Sequence, residues 1–198
     1  MSINAQQVKE LRDKSGVGMM DCKKALVEAN GDIDKAFDIL RKSGIAKAKK
    51  KSGRDAKEGL IFSYIHPGSK LGVILELNCE TDFVANTDDF TDLAKEISMH
   101  IAATSPISVN IEDVGDDVIS KEKEIFIDQA KNSGKPDNII EKMVEGRIKK
   151  FYQENVLLEQ TFVKDPSKTI KDLIAEKVGV LGENILISRF SRYQIGEK

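Results

Sequence analysis

The sequence contains no run of about 18 apolar residues, so it offers no candidate membrane-spanning helix. Cysteine is scarce: Cys22 and Cys79 stand far apart and form no CxxC pair. Together with His66 and His100 they lack the ligand spacing of a zinc site, and they read as small buried hydrophobes in a reducing compartment. Met1-Ser2-Ile3-Asn4 carries neither a signal-peptide apolar core nor an Arg-rich transit segment, so the expected address is the bacterial cytoplasm. A net charge of −2 argues against whole-protein attraction to nucleic acid or an anionic membrane. Chemical signatures are missing as well. Gly68-Ser69-Lys70-Leu71-Gly72 has the residue types of a phosphate loop, but neither its spacing nor a helix after it. Nothing local assembles serine, histidine and an acid into a triad. The expectation is a protein that is not an enzyme and holds neither cofactor nor metal.

What is present is periodicity. With 198 residues, 40% hydrophobic and 32% charged, the chain can bury one substantial core and a smaller appended domain. Asn4 is placed to cap a helix through about Lys14 that carries Val8 and Leu11, and Ser15-Gly16-Val17-Gly18 breaks it. A second helix spans about Met20 to Ala29, with Cys22, Ala25, Leu26 and Ala29 on one face, and Asn30-Gly31 stops it. Asp32 caps a third, carrying Ile33, Ala36, Phe37 and Leu40 and closed by Ser43-Gly44. Three such helices share only a small core and read as a binding module over residues 1–45. Residues 46–57 read as a basic linker. Its segment 47–54 lacks the interleaved aromatics of a nucleic-acid surface, although an RNA patch is the alternative.

From Glu58 the period becomes that of strands. Residues 59–65 and 71–77 flank the turn chemistry of His66-Pro67-Gly68-Ser69-Lys70 and form a hairpin. Thr87 caps a helix to about Ala103, with Phe90, Leu93, Ala94, Ile97 and Ile101 on one face. Helices over about 117–131 and 136–152 follow, the latter begun by a first-turn proline and carrying Ile139, Ile140, Met143, Val144, Ile148 and Phe151. Pro166-Ser167 opens a further helix, and residues 184–190 read as a closing strand. The acidic pairs Asp88-Asp89 and Asp116-Asp117 fall at helix starts, where they oppose the positive end of the dipole. The fold class is α+β: a three-helix module, a linker, and a core over 58–198 with a small antiparallel sheet packed by helices. Thr81-Asp82-Phe83-Val84 follows the second strand. Its Phe-Val pair either plugs the core or projects as an anchor for a partner's pocket, and spacing leaves both open.

Residues 11–26 (LRDKSGVGMMDCKKAL) resemble one signature of the elongation factor Ts family, with Ser15 where threonine is usual. Residues 76–86 (ELNCETDFVAN) match a second without a break. Residues 145–151 and 159–163 resemble its later core, so the likeness covers nearly the whole chain. The resemblance implies a guanine-nucleotide exchange factor that binds elongation factor Tu and accelerates GDP release. It implies that the N-terminal module is similar to ubiquitin-associated (UBA) domains and grips the GTPase through Leu11, Arg12, Met19 and Met20. It implies further that Thr81, Asp82, Phe83 and Val84 enter near the partner's Mg²⁺ site. His100 matches another position that approaches the GTPase; a helix histidine packed at a core edge is the alternative. Longer members carry a second half-core, whereas this chain has room for one and short members pair. The expectation is therefore a homodimer and a two-plus-two complex, without direct nucleic-acid or membrane contact. The rival reading is a ribosome- or RNA-binding protein using residues 47–54.

Overall fold

Asn4 begins the first helix because its side chain accepts the Gln7 N–H at 2.8 Å while the Gln7 side chain accepts the Asn4 N–H at 3.1 Å. The computed structural model describes residues 3–131 and 136–197. Met1 and Ser2, part of the N-terminal stretch read above, lie outside them, as does Lys198. Helix α1 spans Ala5–Ser15, α2 Met19–Glu28 and α3 Ile33–Lys51. Gly16, left-handed at φ 67°, ends α1, and the Asp32 carboxylate accepts the Lys35 N–H to open α3. Val8, Leu11, Cys22, Ala25, Leu26, Ala29, Ala36 and Leu40 form the module's core, as their spacing predicts.

Helix α3 does not stop at Ser43-Gly44. It runs seven residues past Gly44 and takes in Lys47, Lys49, Lys50 and Lys51 from the expected linker. Gly44 is there for close approach: a Cβ built on Gly179 of helix α8 (Ile170–Leu181) would lie 3.0 Å from the Gly44 Cα. Two glycines let the helix backbones touch, and the Arg41 guanidinium pairs with Glu176 at 3.3 Å beside them. The last-turn lysines also oppose the negative end of the α3 dipole.

Strands β1 (Glu58–Ile65), β2 (Leu71–Cys79) and β3 (Leu186–Gln194) form an antiparallel sheet in the order β1-β2-β3. The hairpin agrees with the sequence reading; the closing strand is present but begins at Leu186 rather than Asn184 and runs on to Gln194. Gly59, at φ 143°, lies against the β2 backbone; a Cβ there would sit 2.2 Å from the Leu77 carbonyl oxygen. After β2 comes a single helical turn, α4 (Asp82–Ala85), then α5 (Asp88–Thr104). Thr87 opens α5 by accepting the Phe90 N–H at 3.2 Å, and all five predicted stripe residues of α5 are buried.

Helices α6 (Asp116–Lys131) and α7 (Asp137–Asn155) pack on one another, with the Arg147 guanidinium 5.6 Å from the Phe126 ring centroid. The α7 stripe is narrower than its spacing predicts: Ile140 and Ile148 are buried, but Ile139 is exposed and Met143, Val144 and Phe151 only half-buried. Pro136 stands just before α7 rather than in its first turn. Helix α8 likewise starts later than expected. Ser167 donates its N–H and hydroxyl to Asp165 Oδ1, and Phe162 N–H bonds the Lys168 carbonyl, so Pro166-Ser167 belong to a turn.

The chain divides into two compact units. One gathers residues up to 61, 76–94 and 172–186, and contains α1 to α3, α4 and α8 from Asp172 onward. The other gathers 62–75, 95–171 and residues from 187, and contains α6 and α7.

Two glycines should respond oppositely to substitution. Gly59→Ala forces Cβ into the Leu77 carbonyl and should cost about 2 kcal/mol or more. Gly146→Ala, in α7 with open space around it, should stabilise by about 0.5–1 kcal/mol. Urea unfolding of the two variants measures both signs.

Candidate functional site

The sequence Cys79-Glu80-Thr81-Asp82-Phe83-Val84-Ala85 turns from strand to helix across only two residues, Glu80 and Thr81, and polar groups from a loop distant in sequence fix that turn. Glu183, just after α8, accepts the Glu80 N–H at 3.1 Å and the Thr81 N–H at 3.0 Å through Oε2. Its Oε1 accepts the Thr81 hydroxyl at 2.6 Å. The exchange is reciprocal: the Glu80 carboxylate accepts the Asn184 N–H at 2.7 Å, with the Arg54 guanidinium alongside at 3.4 Å. The Asn184 N–H, and then Arg54, hold the Glu80 carboxyl below the ordinary carboxylate range, so it is charged at neutral pH. Burial pushes the Cys79 thiol up, and its S–H donates to the Thr81 carbonyl at 3.1 Å.

The far end of the turn is pinned too. Asn86 Nδ2 donates to the Asp82 carbonyl at 2.8 Å and the Thr87 hydroxyl donates to the Val84 carbonyl at 2.8 Å. Ala85 is buried and Val84 half-buried, so the turn is seated on its core side. Phe83 faces the other way and is 83% exposed; Asp82 beside it is exposed as well. The residue is a projecting group, not a core plug. Burying a phenylalanine is worth roughly 1.5–3 kcal/mol, and this turn forgoes that gain.

In the N-terminal module, Arg12, Met19 and Met20 are exposed, Met20 at 68%, whereas Leu11 is 0% exposed and belongs to the module's core. In this conformation Leu11 supports the surface from beneath and offers none of its own. His100 is also 0% exposed and has no face for a partner in this conformation. Its Nε2 donates to Gln160 Oε1 at 2.9 Å, an oxygen oriented by the Gln160 amide donating to the Glu154 carbonyl at 2.7 Å. Val163 N–H donates to His100 Nδ1 at 3.3 Å. Those partners require the neutral ring, and burial depresses the His100 pKa despite the Gln160 bond. The basic segment is partly engaged: Lys47 pairs with Asp21 at 2.7 Å and Lys51 donates to the Gly182 carbonyl. Among the described residues no group of three or more His, Cys, Asp or Glu is placed to hold a metal ion. None of their helices is long and apolar enough to cross a membrane.

Sequence reasoning missed Glu183, Asn184 and Arg54. Glu183 lies 102 residues beyond Thr81, so no local pattern connects them.

The fold and site together define an α+β protein in which a clamped turn holds an aromatic side chain in solvent. The family model described as "Elongation factor TS" matches residues 6–197. The elongation factor Ts of Fervidobacterium nodosum is 61% identical over 197 residues, covering 100% of each chain. That of Caldanaerobacter subterraneus is 59% identical over 195 residues, covering 98% of each. That of Thermosipho melanesiensis is 56% identical, covering 98% of this chain and 100% of its own. The chain belongs to the elongation factor Ts family.

The His100 environment gives a pH dependence. Its folded pKa lies below the unfolded value of about 6.5, so the unfolded chain binds more protons just below that pH. The stability associated with neutral His100 is complete above about pH 6.5 and declines as pH falls toward and through the folded value. Urea midpoints measured from pH 7.5 to 5 should fall less steeply for His100→Gln than for the parent chain.

Proposed function

We propose that the chain binds the GDP form of elongation factor Tu and promotes GDP release, so that GTP can replace it. Membership of the family implies the nucleotide-exchange role in translation elongation. The observation that carries the finer reading is Phe83, 83% exposed on a turn pinned at both ends. A large apolar group held rigidly in solvent is suited to fill a partner's pocket with little ordering cost.

GTPases hold nucleotide through backbone donors, a lysine and Mg²⁺ acting on the phosphates. In this reading Phe83 wedges between elements of the GTPase and stabilises its nucleotide-free arrangement, while Asp82 disturbs the shell around Mg²⁺. Arg12, Met19 and Met20 supply a second grip on the GTPase domain, with Leu11 behind them. His100, buried in α5, shapes that helix's surface in this reading and does not touch the partner. Linkage makes the effect reciprocal: a factor that weakens nucleotide binding is itself displaced when nucleotide enters. No covalent bond changes and no cofactor takes part. The work is that of a cytoplasmic translation factor.

The reading extends to a homodimer and a two-plus-two complex. Exposed Ile65, Ile74, Tyr193 and Ile195, drawn from all three strands or their ends, line one apolar cleft of about 330 Å³. A sheet face of that kind is suited to pair with its copy.

Truncating a buried aromatic anchor costs about 2 kcal/mol or more, whereas an exposed charge contributes about 0–1 kcal/mol. Phe83→Ala should therefore slow GDP release more than Asp82→Ala. Stopped-flow release of labelled GDP measures it, and equal or reversed losses would sink the wedge-first reading. For the dimer, light scattering at micromolar concentration should give a dimer for the parent and a monomer for Ile74→Lys. A monomeric parent refutes the pairing.

A further inference from the structure

The contacts around Gly182-Glu183-Asn184 exceed what the end of a helix needs. After α8 ends at Leu181, this loop reaches three separate pieces of the same compact unit. The Gly182 carbonyl accepts the Lys51 ammonium from the end of α3. Asn184, buried, donates its side-chain N–H to the Arg54 carbonyl at 2.8 Å and its backbone N–H to Glu80 at 2.7 Å. Glu183 takes three donors from Glu80 and Thr81. Arg54 completes the ring through Glu80. The α3–α8 crossing at Gly44 and Gly179 brings the two helix ends together with little backbone slack.

Glu183 is chemically suited to this part. A backbone N–H is a weak and movable anchor, but a carboxylate that accepts three donors at once holds two successive peptide units and one side chain in a single geometry. Those units lie immediately before Asp82 and Phe83. Without them Phe83 would sample many directions, and an anchor that must be ordered on docking loses part of its binding energy.

We propose that Glu183 is a positioning residue for nucleotide exchange: it aims Phe83 by clamping Glu80 and Thr81, and its loop ties that aim to the end of α3 in the N-terminal module. The inference rests on the exchange reading above, and it assigns Glu183 no contact with the partner. Binding through Met19 and Met20 then survives loss of the clamp, while the step that needs Phe83 in place does not. The split falls in the maximal rate of release and not in the half-saturating concentration.

The test uses the full chain and GDP-loaded elongation factor Tu, with stopped-flow release measured over a range of factor concentrations. Glu183→Ala should lower the maximal release rate about tenfold and change the half-saturating concentration by less than about twofold. Thr81→Val, which removes only the hydroxyl arm, should give a smaller loss in the same parameter. Glu183→Gln should recover much of the rate, because its amide still accepts the backbone donors and can donate to the Thr81 hydroxyl. Amide exchange at Glu80 and Thr81 should quicken in Glu183→Ala. Ile148→Val, a one-methyl truncation in α7 outside this unit, should leave both kinetic parameters unchanged and serves as the control for general destabilisation. Wild-type rates for Glu183→Ala would overturn the proposal, as would a loss confined to the half-saturating concentration. Should Glu183→Ala fail to fold, a wild-type rate for Thr81→Val overturns it equally. A parent chain that does not accelerate release defeats the exchange reading itself, whereas a Phe83-sensitive parent with insensitive Glu183 and Thr81 variants defeats only the clamp.

Discussion

The Glu183 carboxylate sits where a strand, a helical turn and the end of α8 meet, and the site depends on what it accepts. Without acceptors for the Glu80 and Thr81 N–H groups, the chain leaving β2 would have two unpaired donors at the point where it changes from extended to helical. The carboxylate answers both and the threonine hydroxyl as well. Glu80 repays Asn184 in kind, and the sheet side is fixed by Gly59, whose missing Cβ lets β1 lie against the end of β2. Rigidity here has a consequence beyond stability. An exposed phenylalanine on a loose loop would fold back onto the nearest apolar surface. On this turn Ala85 is seated inward and Phe83 stands 83% exposed.

Much of the architecture was legible from local chemistry. The Asn4, Asp32 and Thr87 caps, the 66–70 turn and the buried α5 stripe are all short-range, and each appears where its residues predict. Failures came where a distant partner decided. Gly44 has the composition of a helix stop, but a helix more than a hundred residues later uses it as a contact point, and α3 continues. Pro166-Ser167 looks like a helix start, yet Asp165 captures Ser167 in a turn and delays α8 to Ile170. The α7 stripe was too broad because pairing with α6 buries only part of a helix.

The site was legible in unequal parts. Its exposed members could be marked only by resemblance, since spacing alone left Phe83 between core and surface. Leu11 and His100 carried the same family expectation; both are buried, Leu11 in the module's core and His100 bonded to Gln160 and to the Val163 N–H. Glu183 carried no expectation whatever. A residue that orients another is invisible to motif reading when its partners are remote in the chain.

An exchange factor need only hold one conformation of its partner better than another, and a preorganised wedge does so with few groups. That makes the account sensitive to turnover. A factor that merely binds GDP-loaded elongation factor Tu releases at most one nucleotide per molecule added, whereas one that leaves when nucleotide enters acts repeatedly. Sub-stoichiometric chain added to GDP-loaded elongation factor Tu with excess unlabelled GTP tests this directly. The account predicts that all labelled GDP is released, at a rate proportional to the chain added; release that stops at one equivalent, or that matches the spontaneous rate, contradicts it.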